Sequence, residues 1–398
     1  MVRTGADQLA RLNPMKIAIL YNTSEYLVRF RTELMQALIE AGNEVVAITP
    51  RDRSSELLLE LGVRWREWKL NATSLHPIHD LRSIRELRRI LKEEKPCTVM
   101  AFTIKPVLYG SLVARWLGVP RIVSMIAGMG SMFGADEGWK RALVPLVNIG
   151  YRWAMRCNQR VLFQNDEDMN LFIDKRFIRP DQAERINGSG VNLDQFVPVE
   201  RPFRKGSFLL VARMLESKGV RQFCEAAGVL KIRFPEARFL LVGPIGEGSG
   251  AISAREIADW EAQGIIEYLG EQADVRPVLA STEVFVLPTF YFEGVPRSIL
   301  EALAMGKPII TTDWRGCRDT VVPGVNGFLV PPRDPVALAS AMSRFLEEPA
   351  LSAPFGEASR RIAEKKFDVA VVNGIVLRAL GCSMSAAASG AHHDLHGD

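Results

Sequence analysis

The sequence predicts an α/β protein built as two doubly wound domains, and three observations carry that prediction. Short apolar runs recur along the 398 residues, each followed by an amphipathic stretch of helical length. The runs are apolar throughout rather than alternating, as parallel strands covered on both faces by helices require. They also fall into two blocks, separated by the proline-interrupted stretch "FVPVERPFRKG" at 196–206.

Taken in order, the first block holds "KIAILYN", "EVVAITP", "CTVMAFT", "RIVSMIA" and "RVLFQ". The second repeats the rhythm with "SFLLVAR", "RFLLVGP", "IIEYLG", "VFVLPT" and "PIITTD". This alternation places one doubly wound domain at 15–198 and a second at 205–360. A helix at 361–380 is expected to pack back toward the first domain, and 381–398 reads as a disordered tail. Met15, at the edge of the first strand, is a candidate natural start.

Composition narrows the function. With 47% hydrophobic and 24% charged residues the chain is an ordinary globular protein. Its five cysteines are scattered without a CxxC pair, which argues for reduced thiols and against structural zinc. No run reaches the roughly 18 apolar residues of a membrane span, and the N-terminus lacks a signal-peptide core. The net charge is +4, yet residues 81–160 alone hold 14 basic and five acidic residues. That excess suits an anionic surface, and solvated helix faces explain it equally well. Within it, 138–160 joins Lys140, Arg141, Arg152 and Arg156 to Trp139, Tyr151 and Trp153, a mixture suited to a bilayer headgroup region or to a helix packed on its domain.

Ligands of open parallel sheets bind beyond the carboxyl ends of the strands, so two such domains facing each other create an interdomain cleft. After "SFLLVA" come Arg213 and, five residues on, Lys218 before a helix. Together they form either a diphosphate site or two surface cations, with Ser217 as an ordinary N-cap. After "VFVLPT" comes "FYFEGVPRSILEALAMG". Pro296 suits the first helical position, so Gly294 and Val295 offer N–H groups at the positive helix end. Glu293 stands just outside, and Glu301 lies about 7.5 Å along the axis at a 1.5 Å rise per residue. Carboxylates flanking a cationic pocket suit a nucleotide sugar. The alternatives are a helix-dipole role for Glu293 and an arginine-paired buried acid for Glu301.

Other patterns exclude chemistries. Asp166 and Asp168 form a DxD, but Asn165 ahead of them reads as a helix cap, so no metal site is expected. His76 and His79 share a loop and the other three histidines lie in the tail, which leaves no catalytic triad. Neither domain has G-x-G-x-x-G after its first strand, which disfavours a nicotinamide dehydrogenase.

These motifs, in this order, resemble the retaining glycosyltransferases of family 4, whose architecture is GT-B. The family pattern of Arg and Lys five apart, then "EG-P" and a second Glu, is matched by Arg213, Lys218, Glu293, Gly294, Pro296 and Glu301. "NGSGVNLDQF", "LVGP" and "GVNGFLVPPRDP" agree as well, so the resemblance spans Met15 to about residue 380. It implies Arg213 and Lys218 on the donor diphosphate, Glu293 on the transferred sugar and Glu301 on the ribose. Backbone groups of Gly294, Val295 and Pro296 would line the phosphate side, and Gly270 and Glu271 would face the nucleobase. The stretch "FTIKPVLYGSLVARWLGVPRIVSMIAGMG" is similar to bacterial enzymes that extend sugars on polyprenyl-diphosphate carriers. It implies an acceptor side at Thr103, Lys105, Gly128 and Gly130.

The resemblance therefore implies a metal-independent, retaining transferase without a cofactor. It would move an N-acetylhexosamine or related hexose from a UDP-sugar to a lipid-linked glycan, peripheral to the inner face of the cytoplasmic membrane and without nucleic acid. A sugar-nucleotide epimerase, a phosphorylase and a non-catalytic nucleotide-sugar binder are the alternatives. Two positions depart from the pattern: the loop "YNTSEYLVRF" lacks glycine, and "AGMGSM" lacks the family histidine.

Overall fold

The computed structural model describes residues 14–71, 76–128, 138–199, 203–246, 248 and 250–382, with the backbone alone at 138–144 and 146. They form two compact units. The first takes the described residues up to Gly128, those from 138 to Ser189 and those from Ala370 on, and the second runs from Gly190 to Val369.

The first unit holds seven parallel strands: β1 (Lys16–Leu20), β2 (Glu44–Thr49), β3 (Arg64–Glu67), β4 (Thr98–Phe102), β5 (Arg121–Ile126), β6 (Arg160–Phe163) and β7 (Ala183–Arg185). Their order is β3-β2-β1-β4-β5-β6-β7. The second unit holds β8 (Arg204–Val211), β9 (Arg238–Val242), β10 (Glu267–Tyr268), β11 (Thr282–Leu287), β12 (Ile309–Thr312) and β13 (Gly327–Val330). These are also parallel, in the order β10-β9-β8-β11-β12-β13. Both sheets are doubly wound, as the apolar runs predict. Each reverses its winding once, between β1 and β4 and between β8 and β11, which opens a crevice at the carboxyl ends of those neighbours.

The central strands fall where the apolar runs place them. Three edge strands do not announce themselves: β3 reads "RWRE", β7 is three residues long, and β13 lies inside a loop-like stretch. The division between the units lies at Ser189/Gly190, upstream of the seam expected at 196–206. Val191 and Phe196 are buried in the second core, and Arg360 donates to the Phe196 carbonyl at 2.8 Å. Residues 361–369 likewise stay with the second unit. Ala363 and Phe367 are fully buried there, and Val191 N–H donates to Phe367 O at 2.8 Å. Only from Ala370 does the last helix, Val369–Leu380, join the first core, through Val372, Val376 and Leu380.

Lys307, at the amino edge of the second sheet, is 7% exposed. Its Nζ donates to the Thr282 carbonyl at 2.8 Å, and burial pulls its pKa from 10.5 down to about 8. Between those two values the unfolded chain binds more protons than the folded one, so this lysine makes stability rise with pH. Lys307→Met removes that contribution. Between about pH 7.5 and about pH 10, the urea midpoint of the wild type should gain on that of the variant; parallel shifts would refute the account.

Candidate functional site

The crevice of the second unit gathers the residues that follow β8 and β11. After β8 the chain passes exposed Arg213 and makes a 3-10 turn at Glu216–Lys218 before the helix Val220–Arg233. Ser217 does not cap that helix; Gly219 occupies the N-cap position at φ 78°. A side chain there would put its Cβ 2.2 Å from the Pro288 carbonyl oxygen, so glycine lets the loops after β8 and β11 meet. Ser217 O instead accepts from Phe290 N–H at 2.9 Å and from the Thr289 hydroxyl at 3.1 Å.

This close approach brings Lys218 onto Glu293. Lys218 Nζ lies 2.6 and 2.7 Å from the two carboxylate oxygens, and the side chains are 12% and 19% exposed. Thr289 Oγ1, fully buried, is 3.2 Å from Glu293 Oε1, and Lys218 Nζ sits 5.3 Å from the Tyr291 ring centroid. Two residues expected to hold different parts of a ligand are therefore ion-paired with each other. The buried Cys317 thiol lies in the field of Glu293, and desolvation first, then that carboxylate, pushes its pKa up to about 12.

Pro296 is at the N-cap position rather than the first helical one, and the helix is Arg297–Ala304. Gly294 and Val295 are buried, and their N–H groups meet no acceptor among the described residues. A Cβ on Gly316 would come within 2.1 Å of Gly294 O, so Gly316 seats the loop closely. Glu301 takes the arginine partner considered as an alternative: Arg297 Nε donates to Oε1 at 3.0 Å, with the side chains 13% and 16% exposed. The acid is thus held in place and still partly open.

Beside Arg213, Gly243 has φ 138°, and a Cβ there would lie 1.9 Å from Ala212 O. Its N–H donates to Gly270 O at 2.8 Å, which ties the turn after β10 to the end of β9. Glu271 follows, exposed. Sequence reasoning missed Thr289, Arg297 and Trp314. Trp314 Nε1 donates to Tyr291 O at 3.0 Å, and the ring meets Phe292 edge-on. Its position two residues after the end of β12 was the available signal.

In the first unit, Thr103 follows β4 at φ 62° and opens the helix Ile104–Trp116; its hydroxyl oxygen is buried with no partner among the described residues. Lys105 is not an open loop cation. Its Nζ pairs with Asp80 at 2.6 Å and donates to Asn71 O at 2.9 Å. Gly128 follows β5 at φ 118°, and Gly130 lies outside the described residues. The DxD is a cap: Asn165 Oδ1 accepts from Asp168 N–H at 2.7 Å, Asp168 is fully buried and Asp166 pairs with Arg185. Among the described residues no group of three His, Cys, Asp or Glu could hold a metal, and no helix is long and apolar enough to cross a membrane. Tyr151 is buried against Phe172 and Phe177, whereas Trp153 is 60% exposed and Trp116 66%.

Residues 27–187 match the glycosyl transferase 4-like domain, and residues 205–348 match the glycosyl transferases group 1 domain. Among curated proteins, the chain is 28% identical over 348 residues to the N,N'-diacetylbacillosaminyl-diphospho-undecaprenol alpha-1,3-N-acetylgalactosaminyltransferase of Campylobacter jejuni, covering 84% of this chain and 90% of the relative. It is 29% identical to the UDP-Gal:alpha-D-GlcNAc-diphosphoundecaprenol alpha-1,3-galactosyltransferase of Escherichia coli, covering 69% and 73%. Among solved structures, a glycosyltransferase from Rickettsia africae matches with a TM-score of 0.73 at 20% identity, covering 94% of this chain and all of the other. Anabaena Alr3699/HepE in complex with UDP and glucose matches with a TM-score of 0.74 at 18% identity, covering 92% and 99%. These two structures share the fold.

Proposed function

The chain belongs to the group 1 glycosyl transferases, and from that premise we propose that it moves a sugar from a UDP-sugar to a polyprenyl-diphosphate-linked glycan, with retention at the anomeric carbon. The observation that carries this reading is the Lys218–Glu293 pair, with exposed Arg213 five residues before the lysine and the buried Gly294 and Val295 directly after the glutamate. A diphosphate entering the crevice supplies Lys218 with a stronger anionic partner and frees Glu293 for sugar hydroxyls. Arg213, Lys218 and the helix N-terminus then stabilise the charge that develops on the departing diphosphate, a task performed here without a divalent ion.

In this reading Glu301, steadied by Arg297, receives the ribose hydroxyls, and Gly270 and Glu271 line the base side. The acceptor hydroxyl attacks the anomeric carbon on the same face from which the diphosphate departs, as the carbon–oxygen bond to it breaks, which retains the configuration, and a phosphate oxygen of the leaving group takes the proton. Thr103, Lys105 and Gly128 form the acceptor side. The two identified relatives act on undecaprenyl-diphosphate-linked sugars, which supports a lipid-linked acceptor. Exposed Trp116 and Trp153, each with an arginine over its ring, suit contact with a membrane surface.

The test is a panel of UDP-sugars offered with bacterial lipid extracts, with products read by mass. The expected product is a lipid-linked glycan heavier by one N-acetylhexosamine or hexose. Isomerised sugar nucleotide formed without acceptor would identify an epimerase instead, and a nucleotide bound without turnover would identify a binding protein.

A further inference from the structure

Two polar atoms at the switch point of the first unit, Asn22 Oδ1 and Thr103 Oγ1, lie buried without a partner among the described residues. Leu20 of β1 pairs in register with Ala101 of β4, and Asn22 and Thr103 each stand two positions beyond that pair, past the carboxyl ends of neighbouring strands. That is where an open parallel sheet receives its ligand. A buried oxygen without a hydrogen bond costs stability until a ligand completes it.

The backbone of Thr103 is a second observation. Its φ of 62° and ψ of 162° fall in a region that is essentially glycine's own, and a β-branched residue is held there only under strain. Glycine takes that conformation freely, so what threonine adds to the position is a hydroxyl-bearing side chain.

The surroundings of these atoms indicate the chemistry of the ligand. An amide oxygen accepts from O–H or N–H groups and repels an anion, whereas a threonine hydroxyl both donates and accepts. Directly after Asn22, the amino end of the helix Ser24–Glu40 is where such folds bind phosphate, yet here it is filled. Asp52 Oδ2 accepts from the N–H groups of Ser24 and Glu25 at 2.7 and 3.0 Å, and the Thr23 hydroxyl accepts from Tyr26 N–H at 3.1 Å. Arg31 on the same helix is 4% exposed, its guanidinium 4.9 Å from the Phe102 ring centroid and thus within the core.

We propose that Asn22 and Thr103 bind hydroxyl groups of an uncharged sugar, a specificity-setting contact from which Asp52 excludes phosphate. Naming that sugar as part of the acceptor glycan rests on the transferase reading; the contact itself does not.

The test follows hydrogen exchange of the full-length protein with N-acetylglucosamine, with an equal concentration of sorbitol as blank, and with pyrophosphate. The sugar should slow exchange at 21–28 and 102–108, whereas pyrophosphate should leave 21–28 unchanged. Asn22→Ala and Thr103→Gly should each lose most of that slowing, and Thr103→Gly should melt above the wild type because its strain is relieved. A merely structural threonine predicts no such combination of added stability with lost binding. The proposal is overturned by no slowing with the sugar, by slowing with pyrophosphate at 21–28, by slowing that survives both substitutions, or by a Thr103→Gly variant that melts no higher. No donor or transfer enters the measurement. Transfer without protection would therefore strike this contact alone, and protection without transfer would strike the transferase reading alone.

Discussion

Lys218→Ala lowers kcat/KM for sugar transfer by about 10³-fold, the effect of withdrawing a preorganised charge from a developing anion. It also destabilises the second unit, because it leaves Glu293 as a partly buried carboxylate beside Thr289 with its cation gone. Breaking such a pair costs more than the pair itself contributes, here about 1–3 kcal/mol. The double variant Lys218→Ala/Glu293→Gln separates the two roles. An uncharged amide no longer needs the ammonium, so urea unfolding should return toward the wild-type midpoint while transfer stays lost. Near wild-type transfer by the double variant would show the pair to be structural only.

Gly219→Ala has the other large expected effect. At φ 78° a methyl group is strained by about 1–2 kcal/mol wherever it points. Here it also points at Pro288 O, 2.2 Å away, and that atom is backbone. Relief must part the loop carrying Lys218 from the loop carrying Thr289 and Glu293. Stability should fall by about 3 kcal/mol or more, and kcat by about 10²-fold, since a displacement near 1 Å has that effect on a positioned site. Gly264→Ala is the control: its φ is 69° and nothing lies within 4 Å of the added carbon. It should show the strain alone with normal transfer. If the two variants unfold alike, the loop contact with Pro288 is unimportant.

Much of this architecture was legible because the signals are local. Central parallel strands are buried on both faces, so "FLLV" and "VFVL" must be apolar throughout, and the Asn ahead of three acids at 165–168 is a local cap signal. Edge strands escape that rule. β3 and β7 need only one neighbour, and their charged residues reach solvent or partners, so their composition resembles a loop. The division at Ser189/Gly190 was illegible for a related reason. The prolines of 196–206 mark a bend in the chain, whereas Val191 and Phe196 decide which core claims it.

The candidate site divides in the same way. Residue types and spacing determined which groups stand after the strands of the second unit: Arg213, Lys218, Glu293 and Glu301, with Gly294 and Val295 at a helix start. The tertiary structure alone decided how they are paired, because β8 and β11 are 70 or more residues apart in sequence and adjacent at the switch point. That adjacency puts Lys218 on Glu293, and Asp80 reaches Lys105 in the same way from 25 residues upstream. Sequence specifies the charges; Coulomb interactions fall with distance through space, so only the fold determines which of them meet.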